Sequence, residues 1–515
     1  MEITKQQTKV LKLSAKIDPR SLAFKLPGIQ TWFLLILFFA LCIFLPWTAL
    51  TISRILAIYL LVRLVVVVAI FYGISLIKIR QTHQRMRMTA PLDGLTDVQI
   101  ARYPKIQHVV VIPNFNEPVE ILSRTLQALA DQTISGQQLT VVLAMEDSEV
   151  DACLKGKILE DRFAQNFAHF FVTFHPARQP QEIPGKAANQ NWGARYAKHE
   201  LVDKLGLRLE NMTITSCDAD SELDPDYFRE LTREFITCPK PDNAIWQTPI
   251  FFDHNIWQTP ASVRLLTFIS NAVLVSELST PFCQTFPLST YSFSFKLLAD
   301  VGYWDPIVIS EDWHMFLRCF FAKDGDMTVR SMFLPTIAEP FLDETTLKTW
   351  KLVFWTRVRH AWGAGDMVYM LQQWNRQPRT PVFKKLGRFL KIWHDNMAFI
   401  LGSVFVTVGT LLSIILEHNP VITHPPFPIP YVMDVLNGLG MVGMLTIWIV
   451  ERIRCNDARY SWKLSTIGPE IASWIIFPAI TFFLAGLPVL HAHTKILLGS
   501  DLSFARTPKG IMLKK

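Results

Sequence analysis

Asp218 and Asp220 stand one small residue apart, across Ala219, just after an apolar run that ends at Cys217. The run reads as a strand, and carboxylates at the C-terminal end of a strand in an α/β sheet lie where such sheets bind ligands. Two acids at this spacing point the same way. They can share a hard divalent cation, Mg2+ or Mn2+, and through it a diphosphate. The plainer reading is a polar loop capped at both ends, with Asp224 as N-cap and Pro225 at the first position of the next helix.

Other chemistry-bearing residues recur at strand exits and helix starts. Glu146 and Asp147 follow the apolar stretch Leu139–Ala144, where a carboxylate can accept the imide N–H of a uracil ring; either can equally cap a helix. Lys186 follows Gly185 at a helix start, where it can meet a phosphate. Asp312, in Ser310-Glu311-Asp312-Trp313-His314, stands at a helix start, where its plain role is a cap. Arg357, Arg359, His360 and Trp362 fall within one short helical stretch, which is also what a surface helix with an arginine face looks like. Phe286–Phe293 is hydroxyl-rich and can line the acceptor side of a cleft.

The elements that must position these residues alternate. Strands are expected at His108–Ile112, Leu139–Ala144, Phe170–Phe174 and Met212–Cys217, each followed by a helix, with a further strand at Ala244–Ile250 and a helix at Pro260–Leu278. This is the pattern of a parallel, nucleotide-binding α/β domain. No GxGxxG or GxxxxGKT loop is present, against dinucleotide enzymes and P-loop NTPases.

The α/β domain does not stand alone. Half of the 515 residues are hydrophobic, too many for an ordinary soluble enzyme. Ile29–Leu50 and Ile55–Ile77 are each long and apolar enough to span a bilayer, and apolar stretches return at Met397–Leu416, Val432–Val450 and, broken by Pro469, Pro478 and Pro488, over Ile467–Leu498. With no cleavage site before the second span, the first is an anchor and not a removable signal. Lys384–Asn396 mixes basic and aromatic residues at helical spacing, which suits a helix lying on the membrane surface or packed on the soluble domain.

Lys5, Lys9, Lys12, Lys16, Arg20 and Lys25 precede the first span, Lys78, Arg80, Arg85 and Arg87 leave the second, and Glu417–Pro430 has neither Lys nor Arg. The positive-inside rule therefore puts the N-terminus and the middle domain in the cytoplasm. A re-entrant last segment would keep Lys495, Arg506, Lys509, Lys514 and Lys515 on that side; a fifth crossing would not. Arg63, inside the second span, must face protein, a headgroup or a polar path, or else snorkel.

The division expected is a tail (1–28), two membrane helices (29–77), a cytoplasmic catalytic domain (78–378), an interfacial helix (379–396), a C-terminal membrane region (397–498) and a tail (499–515). A net charge of +7 without a basic, aromatic-interleaved run fits a membrane surface and gives no sign of nucleic acid. The seven cysteines form no CxxC pair and read as reduced thiols; His491 and His493 lack the partners of a metal site.

Taken as an ordered set over Val109–Gly365, these segments resemble the membrane-bound family-2 glycosyltransferases, the group of cellulose, chitin and hyaluronan synthases and ceramide glucosyltransferase. The resemblance implies a GT-A-like, mixed but mostly parallel sheet that binds a nucleotide-sugar, inserted between N- and C-terminal transmembrane helices. It implies that the polar turn Asn114, Asn116 and Glu117, with Glu146, Asp147 and Lys186, binds the donor, and that Asp218 and Asp220 hold the metal. Asp312 is then the general base with Glu311 beside it, Arg359 holds the diphosphate, and Ser310, Trp313, His360 and Trp362 face the acceptor. Arg506–Gly510 resembles a segment that follows the last membrane element in some relatives.

Two residues depart from the family pattern Gln-Arg-x-Arg-Trp: Thr356 replaces the Gln and His360 the Trp that stacks on the acceptor sugar. The reading is an inverting transfer from a nucleotide-sugar, UDP-linked, to a hydroxyl of a lipid-linked or growing saccharide acceptor at the cytoplasmic membrane face. A processive polysaccharide synthase and a non-catalytic membrane scaffold are the alternatives.

Overall fold

β1 (Gln107–Pro113) alternates between two apolar cores, with Val109 and Val111 on one face of the sheet and Val110 and Ile112 on the other. A strand buried on both faces needs an unbroken apolar run, which is what the sequence supplies there. The structure, a computed structural model, describes Leu13 and residues 21–499 apart from 89, 91, 177, 178, 180, 181, 282–284, 418–428, 459 and 461. The basic tail from Lys5 to Arg20 apart from Leu13, most of Glu417–Pro430, and Arg506–Gly510 lie outside those residues.

Beside β1 run β2 (Leu139–Glu146), β3 (His169–His175) and β4 (Met212–Ser216), all parallel. β5 (Glu222–Leu223) leaves this sheet, and β6 (Ala244–Gln247) returns to it. The expected strand over Ala244–Ile250 is split: β7 (Ile250–Phe252) pairs instead with β10 (Thr336–Ala338), which also pairs β5, in a separate three-stranded sheet. Pro249, without an N–H to donate, sits at the break. β8 (Tyr291–Ser294) runs antiparallel between β4 and β6, and β9 (Thr328–Ser331) completes the order β3-β2-β1-β4-β8-β6-β9. This is the mixed, mostly parallel sheet expected.

One helix start differs from expectation. The helix after the Asp218–Asp220 turn begins at Tyr227, and Asp224 does not cap it. Asp224 Oδ1 accepts from the Asp226 N–H at 2.9 Å and Oδ2 pairs with His83 Nε2 at 2.7 Å. The side chain is committed to a turn and to a contact with the second apolar helix. Such Asx turns compete with capping for the same carboxylate.

Among the described residues, four helices are long and apolar enough to cross a membrane: Leu22–Phe44, Pro46–Met88, Val382–Leu416 and Phe477–Leu497. The first two meet at Leu45, inside the first expected span, because Pro46 starts the second helix where its missing N–H costs no bond. Lys384–Asn396 is the leading part of one unbroken helix, Val382–Glu417. Over 464–497 the helix breaks at Ile476 and carries a π segment at Phe482–Gly486. Gly28 lets the first and last of the four meet: a Cβ there would lie 2.4 Å from the His493 carbonyl oxygen. His493 Nδ1 lies 2.7 Å from Thr31 Oγ1, so it belongs to this helix contact.

The apolar helices join the α/β domain through buried ion pairs. Glu470 and Arg452 are fully buried, and Glu470 pairs with both Arg452 and Arg264, the latter at 2.5 Å on the domain's helix Ala261–Glu277. Nearby, Arg454 bridges Glu451 and Asp253. Arg63 faces protein, reaching Glu277 at 3.5 Å and His394 Nε2 at 3.3 Å.

Candidate active site

β4 ends at Ser216, and the antiparallel β8 begins opposite it, with Ser216 paired to Tyr291. The loop entering β8 therefore lies over the same edge as the loop leaving β4. That juxtaposition builds the centre of the site. Lys186 Nζ lies 2.7 Å from Asp218 Oδ1 and 2.6 Å from Glu311 Oε1, and donates to the Ser289 carbonyl at 3.1 Å. Ser289 Oγ donates to Asp218 Oδ2, and the Ser289 N–H donates to Asp312 Oδ2 at 3.3 Å. Ser289 holds φ +57, a left-handed backbone that turns its N–H and hydroxyl onto two different carboxylates.

Asp312 opens the helix Glu311–Ala322, and its Oδ1 accepts from the Trp313 N–H at 2.8 Å. Burial and the neighbouring Glu311 carboxylate push Asp312 up to about 7, against the pull of Lys186 and the two backbone N–H groups. For Lys186, burial works against the charge, but Asp218, Glu311 and Asp312 outweigh it and hold the ammonium well above its usual range. An acid poised near neutrality beside a fixed cation is what proton transfer at physiological pH requires.

Arg359 projects into the same field from the helix Thr346–Ala361. Burial lowers its pKa, and Asp218, Glu311, Glu117 and Asp312 oppose that shift, which puts its guanidinium within electrostatic reach of all four acids. Arg357 turns away, donating to Ser270 Oγ at 3.3 Å and lying over the Phe399 ring. Asp220, 4 % exposed, accepts from the Glu339 N–H at 3.3 Å, so the three-stranded sheet supports the second acid of the pair.

The other expected donor residues form a neighbouring group at the ends of β1 and β2. Asn114 is buried and donates to Glu149 Oε2 at 2.9 Å; Glu149 in turn pairs with Lys155. Glu117 Oε2 accepts from the Phe115 N–H at 2.7 Å, closing the turn in which Asn116 adopts φ +63. Glu146 faces His175 Nδ1 at 3.1 Å, and the other ring nitrogen reaches Glu182 at 2.8 Å. Burial opposes the His175 cation, but its two carboxylates prevail and raise its pKa. Asp147 stands exposed at the rim.

Of the residues expected to face an acceptor, His360 is exposed and Trp313 stacks on Phe286 with centroids 4.8 Å apart. Trp362 packs against Phe24, Ala364 and Ile496. Together with Ser310 it lines a cavity of about 50 Å³ between the helix Glu311–Ala322 and the apolar helices. Ser289, Thr290, Glu149 and Lys155 were not singled out individually from the sequence. Only the hydroxyl richness of Phe286–Phe293 pointed toward the first two.

Two family models match the chain. That described as glycosyl transferase family group 2 covers residues 213–484, and that described as glycosyl transferase family 2 covers 109–293. The chain belongs to glycosyl transferase family group 2. In this family-2 glycosyltransferase the matched regions hold Asp218, Asp220, Asp312 and Arg359 in the first case, and Asn114, Glu146 and Lys186 in the second.

No curated protein matches the chain. Among solved structures, a mannosyltransferase from Pyrobaculum calidifontis in complex with GDP-Man and Mn2+ is 13% identical, covering 77% of this chain and 98% of its own, with a TM-score of 0.42. TarS of S. aureus in complex with UDP-GlcNAc is 12% identical, covering 60% and 88%, with a TM-score of 0.32.

Proposed function

We propose that this glycosyltransferase moves a sugar from a nucleotide-sugar, UDP-linked, to a hydroxyl of a lipid-linked or growing saccharide acceptor, with inversion, at the cytoplasmic face of a membrane. One observation carries the reading: Lys186 joins Asp218 to Glu311 in one side-chain cluster, and Asp312 beside them is held near neutrality.

The uracil end of the donor belongs at the exits of β1 and β2, near Asp147 and the Glu146–His175 pair. Lys186 and Arg359 supply positive charge where the diphosphate departs. Asp218 and Asp220 offer only carboxylate oxygens, a donor set that fits Mg2+ or Mn2+. When bound, that ion neutralises charge on the leaving diphosphate. Asp312 accepts the proton of the attacking acceptor hydroxyl. A single base, with Asp218 and Glu311 both paired to Lys186, suits one displacement at the anomeric carbon.

The apolar helices at both ends of the domain support an acceptor presented by the bilayer. A single transfer or a short product is favoured over processive elongation, because His360 stands where the family has its stacking Trp and Trp362 is packed against Phe24. The test is Asp312→Asn in membranes supplied with labelled nucleotide-sugars. Loss of transfer with nucleotide binding kept supports the assignment, and near-normal turnover overturns it.

A further inference from the structure

The turn that presents Asp312 is held from behind by a second set of charges. His314, 2 % exposed, places Nδ1 2.8 Å from Asp366 Oδ1 and Nε2 3.6 Å from Asp305 Oδ2. One helical turn on, Arg318 brings Nη1 to 3.6 Å from the same Asp305 oxygen, and its Nη2 donates to the Val301 carbonyl at 2.7 Å. Asp305, Asp366 and Arg318 are all buried. The Tyr369 ring lies 4.4 Å from the imidazole, with its hydroxyl committed to the Leu13 carbonyl.

With His314 protonated, two cations meet two carboxylates; with it neutral, either one buried carboxylate lacks a counter-charge or Asp366, whose pKa burial raises, holds the proton instead. Burial opposes the imidazolium, but the hydrogen bond to Asp366 and the nearby carboxylates of Asp366 and Asp305 outweigh that and raise its pKa.

The set ties together three parts of the site. Asp305 lies in the loop that leads to Ser310–Asp312, a loop whose entry at Gly302 and Tyr303 takes φ +84 and +68. The next residue, Pro306, accepts from the Ile183 N–H at 2.9 Å, just before Lys186. Asp366 belongs to the helix Gly365–Arg376, which follows Arg359 and Trp362 directly. His314 and Arg318 grip the loop from the helix that it enters.

We infer that protonated His314 is a positioning residue for the transfer: by holding Asp305 and Asp366 together it sets Asp312 against Lys186 and Arg359. The inference rests on the reading of Asp312 as base. A raised histidine pKa means that the tether is complete below the unfolded value of about 6.5 and is lost as pH rises through the folded value. Asp312 must be ionised and His314 protonated, so kcat against pH has an acid limb from the first and an alkaline limb from the second.

The experiment compares kcat and donor KM across pH for the full chain in membranes, as wild type, Asp366→Asn, Asp305→Asn, His314→Gln and Asp312→Asn. Asp366→Asn keeps an acceptor for Nδ1 but removes a charge that stabilises the imidazolium. It should move the alkaline limb down by about one pH unit, with the acid limb in place and donor KM within about twofold. Asp305→Asn reads the same effect from the other side of the ring should the first variant not accumulate. His314→Gln should lower kcat about tenfold and erase the alkaline limb. Profiles that superimpose on the wild type in these variants, or a change in KM alone, would overturn the inference. An active Asp312→Asn would instead remove the base reading beneath it, so the two failures are distinct.

Discussion

The sharpest consequence of this charged cluster is an acid limb near neutrality, set by Asp312. Its carboxylate is pushed up to about 7 by burial first and by Glu311 second, while Lys186 opposes them. A raised acid keeps its proton until pH exceeds the shifted value, so the base is lost as pH falls through 7. One unit below that midpoint about one tenth of the sites are ionised, and kcat/KM, which reports the free enzyme, should fall about tenfold for each further unit. Glu311→Gln removes the second cause and should move the midpoint down by roughly one unit. Lys186→Met removes the opposing cation and should move it up while lowering the plateau. The assay is release of labelled nucleotide from a nucleotide-sugar by membranes containing the protein, at matched ionic strength. A midpoint at an ordinary aspartate value of about 4, unmoved in Glu311→Gln, would refute the reasoning.

Three further outcomes follow from particular contacts. Ser289→Ala removes the hydroxyl on Asp218 while leaving the backbone bond to Asp312, so kcat/KM should fall on the order of tenfold with the acid limb unshifted. Glu470→Gln leaves Arg264 and Arg452 without their shared, fully buried counter-charge and should cost about 3–5 kcal/mol, read as a lower midpoint of thermal unfolding in detergent. Gly28→Val forces a branched side chain against the His493 carbonyl and Leu497, where no space exists. It should lower the same midpoint by an amount equivalent to roughly 1–3 kcal/mol, while Gly73→Ala, which would meet nothing within 4 Å, should not.

The sequence was most legible where one principle acts alone. Val109–Ile112 is apolar throughout because both faces of β1 are buried, and Gly185-Lys186 marks a helix start that the structure reproduces. The acids expected at strand exits do gather at one edge of the sheet. What stayed hidden depended on contacts distant in the chain. Ser289 matters only because β8 runs antiparallel to β4, and local periodicity carries no trace of strand direction. Asp224 was misplaced as a cap because its competing partner, His83, lies on a helix far earlier in the chain. Glu149 and Lys155 support Asn114 from beyond Glu146 and Asp147, as a buried pair across the start of the helix Ala152–Phe163.

The central claim is that Asp218 and Asp220 gather a divalent ion and a nucleotide diphosphate between Lys186 and Arg359. An experimental structure of the full chain with Mn2+ and UDP tests it most directly. The account predicts the ion on the Asp218–Asp220 carboxylates, with Lys186 and Arg359 turned to the diphosphate and Asp312 facing the space left for the sugar. Mn2+ held elsewhere, at Asp253, Glu451 and Cys455 for instance, with UDP away from Lys186, would contradict it.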